Sequence, residues 1–180
     1  MHFVPFWRRN PHERAGFLLY GRAVAAAREP YLYAVLGVPD TLNGRFDLVG
    51  LHAFLLIRRL SDLPAPGEDL AQAVFDAMFS DMDVNLREMG VGDLSVGKRV
   101  RKMWEAFNGR SRAYDKAMEA ADAAALEAAL IRNVWLGNPA PGAAALARLA
   151  FAQAAHLAGQ DLPGFVAGCA EFLSAAEAAR

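Results

Sequence analysis

The feature that most constrains this chain is a period. Along almost its whole length, apolar residues recur at helical spacing. Nowhere do β-branched and aromatic residues alternate strictly with polar ones over the length of a strand. A period near 3.6 lines up one face of a helix, whereas a half-buried strand needs a period of two. The pattern therefore predicts an all-α fold. At 180 residues the chain is about the size of one domain, so the expectation is a single compact multi-helix bundle.

The helices can be placed from their stripes and breakers. A first helix is expected over residues 13–28, stopping before Pro30 because the residue preceding a proline is pushed out of the α region. YLYAVL reads as a short second helix ended by Gly37, and GVPDTLNG as a loop. A third helix over 45–60 is apolar nearly all round, which marks it as the central, buried one. After the loop SDLPAPGED, a fourth helix over 70–89 carries Phe75, Met78, Phe79, Met82, Leu86 and Met89 as one stripe. A fifth is expected from Ser95 as N-cap, with Val96, Val100, Met103, Phe107 and Tyr114 as its stripe.

From Lys116 onward the chain is rich in alanine. Asp122 is placed to cap a sixth helix ending at Gly137. GNPAPG breaks that helix, and two more follow, split by GQDLPG. Leu146, Leu149, Phe165 and Phe172 need burial, so this end is expected inside the same bundle. Cys169 falls in helical register with Phe165 and Phe172 and is expected in the core.

Composition excludes some functions. The formal net charge is −1, so bulk electrostatics favours neither nucleic acid nor an acidic partner, and a charged site must come from local patterning. With one cysteine, no disulfide can form within the chain, which fits a reducing compartment. The start, MHFVPFWRRNPHER, places a very short apolar patch before its arginines and is not a secretory signal. Arg8-Arg9 lacks the apolar stretch that a twin-arginine signal needs. The longest apolar run, residues 46–57, falls well short of the ~20 residues of a membrane span. The expected location is cytosolic, with contact at a membrane surface left open.

Several apparent motifs dissolve on inspection. GDLSVGKR follows the phosphate-loop pattern up to its last letter, but Arg99 stands where Ser or Thr must hold Mg²⁺, and a helix rather than a buried strand precedes it. No nucleotide is expected. DMDVN imitates the start of a calcium loop, but Leu86 and Gly92 occupy the positions that require glycine and a bidentate glutamate. Asp83 and Arg87, four apart, read better as a helix-surface pair. His2, His12, His52 and His156 have no metal-ligand spacing, and no metal or other cofactor is expected. His52, among Leu48, Val49, Leu55 and Leu56, reads as a buried histidine with one hydrogen-bond partner. No Gly-x-Ser-x-Gly elbow is present. Asp40, Arg45 and His52 are the residues to inspect for an unrecognised enzyme site.

One signal remains. Lys98, Arg99, Arg101, Lys102, Arg110, Arg112 and Lys116 face only Glu105 and Asp115 along the fifth helix. Lys98 and Lys102 repel each other at i, i+4. Two compensations are open. The acidic fourth helix, with Glu68, Asp69, Asp76, Asp81, Asp83 and Glu88, can pack against it. Otherwise the face meets an acidic partner, an RNA phosphate surface or an anionic membrane. A nucleic-acid- or ribosome-binding module built on this helix is the alternative function.

The chain resembles the ubiquinol–cytochrome c chaperone family. The likeness rests on Pro39, Asp40, Thr41, Gly44, Arg45, Phe46 and His52 in one stretch. A second stretch is MDVNLREMGVGDLSVGK, which includes Asp83, Arg87, Glu88 and Asp93, and Gly109, Arg110 and Tyr114 follow it. The resemblance covers residues 18–118, with an N-terminal extension over 1–17 and alanine-rich helices over 119–180, so the helical chaperone domain is expected over 18–180.

The resemblance implies a non-enzymatic assembly factor for respiratory complex III that binds newly made cytochrome b. In mitochondria such proteins work with a small partner and associate with the ribosome. The short start containing Glu13 reads as a bacterial-type member. Lys98, Arg99, Arg101, Lys102, Arg110 and Arg112 are the candidate partner-binding residues. Asp40, Arg45, His52, Asp83, Arg87, Glu88 and Asp93 are the family-motif residues, of which Asp83, Arg87, Glu88 and Asp93 either fix the turn or face a partner. Met78, Met82, Met89 and Met103 suit either a core stripe or an adaptable binding surface.

Overall fold

A computed structural model describes residues 11–180 of the chain. The expectations for the first ten residues lie outside the described part. Within it the secondary structure is helical throughout: α1 (Glu13–Ala27), α2 (Pro30–Ala34), α3 (Leu42–Ser61), α4 (Gly67–Glu88), α5 (Asp93–Glu119), α6 (Ala123–Val134), α7 (Ala143–Ala158), α8 (Leu162–Val166) and α9 (Ala175–Ala178).

The third helix is the axis, as its all-round apolarity predicts. It packs against α1, α4, α5, α6 and α7, and Leu48, Leu51, Leu55, Leu56 and Leu60 are fully enclosed. It begins inside the expected loop because Thr41 caps it: the Thr41 hydroxyl accepts from the Gly44 N–H at 3.1 Å. The first helix lies close on the fourth because Gly16 has no side chain. A Cβ there would stand 2.6 Å from Ala73, nearer than any real contact. The Tyr20 hydroxyl then donates to Asp81 at 2.7 Å across the same pair of helices.

The fifth helix begins three residues earlier than expected. Gly92, not Ser95, is its N-cap, and Asp93 sits in its first turn, where a negative charge meets the positive end of the helix. Asp122 caps α6 as predicted, accepting from the Ala125 N–H at 2.9 Å.

The C-terminal end departs most from expectation. The second of the two predicted helices is a single turn, α8, ended by Gly168 at φ +79°, a conformation that glycine adopts without a steric penalty. An extended segment follows, held by two glutamines. Gln153 of α7 donates to the Leu173 carbonyl at 2.7 Å and accepts from the Leu173 N–H at 2.9 Å. Gln160 repeats the pattern on Glu171, at 2.7 and 2.9 Å. Each side-chain amide thus satisfies one residue's backbone as a neighbouring strand would. Helical register does not extend from Phe165 to Phe172, so Cys169 is exposed rather than in the core. Phe165 is buried, and α7 packs its Leu146 and Leu149 into the same core as α3.

Candidate interaction surfaces

The family-motif residues do different work from one another. Asp40 and Arg45 pair on the surface at 2.6 Å, at the mouth of an open cleft lined also by Arg28, Pro30, Tyr33 and Ala34. The Arg45 guanidinium beside Asp40 holds that carboxyl below the usual carboxylate range. His52 does not join them. It is buried two turns further along α3. Its Nδ1–H donates to the Leu48 carbonyl at 2.8 Å, and its ring meets Phe172 edge-on at 5.5 Å. Burial pushes its pKa down to about 4, so the imidazole is neutral at pH 7. The three residues inspected for an enzyme site therefore do not converge.

Arg87 ties α4 to α5. It pairs with Asp83 at 2.6 Å on its own helix and with Asp93 at the start of the next, fastening both ends of the turn at Met89–Gly92. Glu88 is exposed beside it. The phosphate-loop likeness has no loop to wrap a phosphate, since the residues from Asp93 to Val96 that would form it already lie inside α5.

The basic cluster divides. Arg110 turns inward and donates to Asp47, a carboxylate on α3 that is 6% exposed. Burial raises the Asp47 pKa to about 6, with the charge and hydrogen bond of Arg110 pulling it down. Lys98, Arg99, Arg101, Lys102 and Arg112 are exposed. Arg101 pairs only with Glu105 of its own helix, at 3.1 Å. Among the described residues, no cation of α5 reaches a carboxylate of α4, although the two helices pack together. Beyond Arg87–Asp93 at its start, the charged ties of α5 run to α3, through Asp47–Arg110 and through Arg58–Asp115 at 2.8 Å.

The methionines also divide: Met78 and Met82 are core, Met103 is partly buried against it, and Met89 is exposed.

Sequence reasoning missed an apolar corner. Val35 at the end of α2, Leu42 at the start of α3 and Leu136 after α6 are 61%, 63% and 75% exposed. The Trp135 indole N–H donates to the Gly37 carbonyl at 2.9 Å, and Gly142 lies against Leu36, so the α6–α7 connection is pinned on the α2–α3 connection. Leu136 has φ +54°, a left-handed conformation that a residue with a Cβ rarely adopts. No pattern in the sequence announces it. Trp104, 41% exposed on α5, was discoverable because it falls off the stripe of Val100, Met103 and Phe107.

An all-helical bundle that pairs its charged motif residues with one another at the surface and turns a basic helix face and an apolar corner outward has the build of a protein-binding scaffold. The chain belongs to the ubiquinol–cytochrome c chaperone family, whose pattern matches residues 34–172. It is 28% identical over 97 residues to ubiquinol-cytochrome-c reductase complex assembly factor 1 from Xenopus laevis, covering 54% of this chain and 48% of the relative. The chain thus spans about half the length of that curated relative. The fold is similar to the crystal structure of the Cbp3 homolog from Brucella abortus, with a TM-score of 0.84, 35% sequence identity and 92% of each chain covered.

Proposed function

We propose that the chain is an assembly chaperone for respiratory complex III, holding newly made cytochrome b until it is matured. Membership of the chaperone family over residues 34–172 carries this reading. The complex named in the Xenopus laevis relative supports it. The role is one of binding rather than turnover, and the chaperone meets its client from the cytoplasmic side, at the membrane periphery. Among the described residues, no helix is long and apolar enough to cross a membrane.

A membrane-protein client presents apolar segments, and Val35, Leu42 and Leu136, the most exposed of the large apolar side chains among the described residues, are suited to receive one. A small partner protein or the ribosome is a further candidate contact in this reading. The test is co-purification from solubilised membranes with the bound proteins identified. Enrichment of cytochrome b is expected. Recovery of the chaperone without any complex III subunit would contradict the proposal.

A further inference from the structure

The outward face of α5 carries more positive charge than the fold uses. At 100° per residue, Lys98, Arg101, Lys102, Glu105, Arg112 and Lys116 share an arc of about 100°, opposite the buried Val96, Phe107 and Tyr114. The arc runs for about 27 Å along the helix. Glu105 is its one acid and is held by Arg101. Lys98, Arg99, Lys102, Arg112 and Lys116 are exposed and form no ion pair among the described residues. Lys98 with Lys102, and Arg112 with Lys116, set like charges four apart, which works against the helix itself.

We propose that this face docks on an anionic phospholipid surface, with α5 lying along the membrane plane. A straight row of charges on a convex ridge fits a plane. It does not form the basic groove with stacking aromatics that single-stranded nucleic acid requires. Trp104 stands at the edge of the row, three residues from Arg101, and is half-exposed. An indole in that position suits the headgroup level, where its apolar ring and its N–H are both accommodated. Between Lys98 and Lys116 the arc holds no apolar side chain, and the stripe of Val96, Phe107 and Tyr114 is committed to the core. The contact is therefore superficial and electrostatic, without insertion. It does not depend on which client the chaperone holds.

The experiment is co-sedimentation of the full chain with vesicles of phosphatidylcholine alone and of phosphatidylcholine mixed with phosphatidylglycerol. Binding is expected only to the mixed vesicles, falling steeply as salt screens the surface. Each Lys or Arg near an anionic surface is worth about fivefold in affinity, so the triple variant Lys98→Glu, Arg101→Glu, Lys102→Glu should lose about a hundredfold or more. Glu105→Gln should bind more tightly. If the reversed variant does not fold, glutamine at the same three positions makes the same test with a smaller loss. Equal binding to both vesicles would overturn the proposal. So would unchanged binding by a folded triple variant, or displacement of the chain from vesicles by RNA at physiological salt. Because no client is present, failure here leaves the chaperone reading standing, and failure of client capture leaves this one standing.

Discussion

Arg110 on α5 donates to Asp47, a buried carboxylate on α3, and this pair fastens the basic helix to the central one. A carboxylate enclosed this far is compensated only while the guanidinium is there. Arg110→Met should therefore cost about 3–5 kcal/mol in urea unfolding, because it strands a buried charge. It should leave vesicle binding by the folded fraction intact. A variant as stable as the parent would mean that the pair does not hold the helices together.

The same carboxylate and His52 predict a pH signature. His52 is lowered from 6.5 to about 4 in the folded chain, so its contribution is present above pH 6.5 and is lost as pH falls through 4. Asp47 is raised from 3.8 to about 6, so its contribution is present below pH 3.8 and is lost as pH rises through 6. Each is worth a few kcal/mol, since a tenfold change in proton affinity corresponds to about 1.4 kcal/mol, and across this window they oppose each other. Stability from these two groups should be nearly flat between about pH 4 and 6.5. His52→Asn should make the protein gain stability on acidification, and Asp47→Asn should make it lose stability. Parallel pH profiles for the two variants would refute the assignment.

Much of this arrangement was legible in the sequence, and the part that was not has physical causes. The run over 45–60 gave the central helix because a helix apolar all round can only be buried, and Asp122 gave a cap because its side chain acts locally. Cys169 was misplaced because a period says nothing once the backbone leaves the helix at Gly168. The segment that follows is shaped by Gln153 and Gln160, whose partners are backbone groups up to 20 residues away. Arg110 looked like its basic neighbours. Only the packing of α5 on α3, 63 residues back, separates it from them. Leu136 carries no local signal, since its positive φ is imposed by the connection it sits in.

The glutamine clamp can be tested by hydrogen exchange. Gln153→Leu removes both partners of the Leu173 backbone inside the protein, at about 1–3 kcal/mol for each group left unsatisfied. The Leu173 amide should exchange faster while the amides of α3 keep their protection. Uniform loss of protection would show that the segment is not an independent flap.

At the apolar corner, stability and binding should move in opposite directions. Leu136→Gly relieves the left-handed conformation and should stabilise the fold by about 1 kcal/mol. If the corner receives the client, that variant, and more strongly the combination of Val35→Ser with Leu42→Ser, should recover less cytochrome b at an unchanged or higher melting temperature. Full recovery by all of these variants would move the client site elsewhere.

The most direct test of the chaperone reading is a strain lacking this chain, grown where complex III is required. The haem absorbance of cytochrome b and the assembled complex would be measured in its membranes. Both should fall together and return when the chain is restored. Wild-type levels of cytochrome b and of complex III in that strain would contradict the central claim.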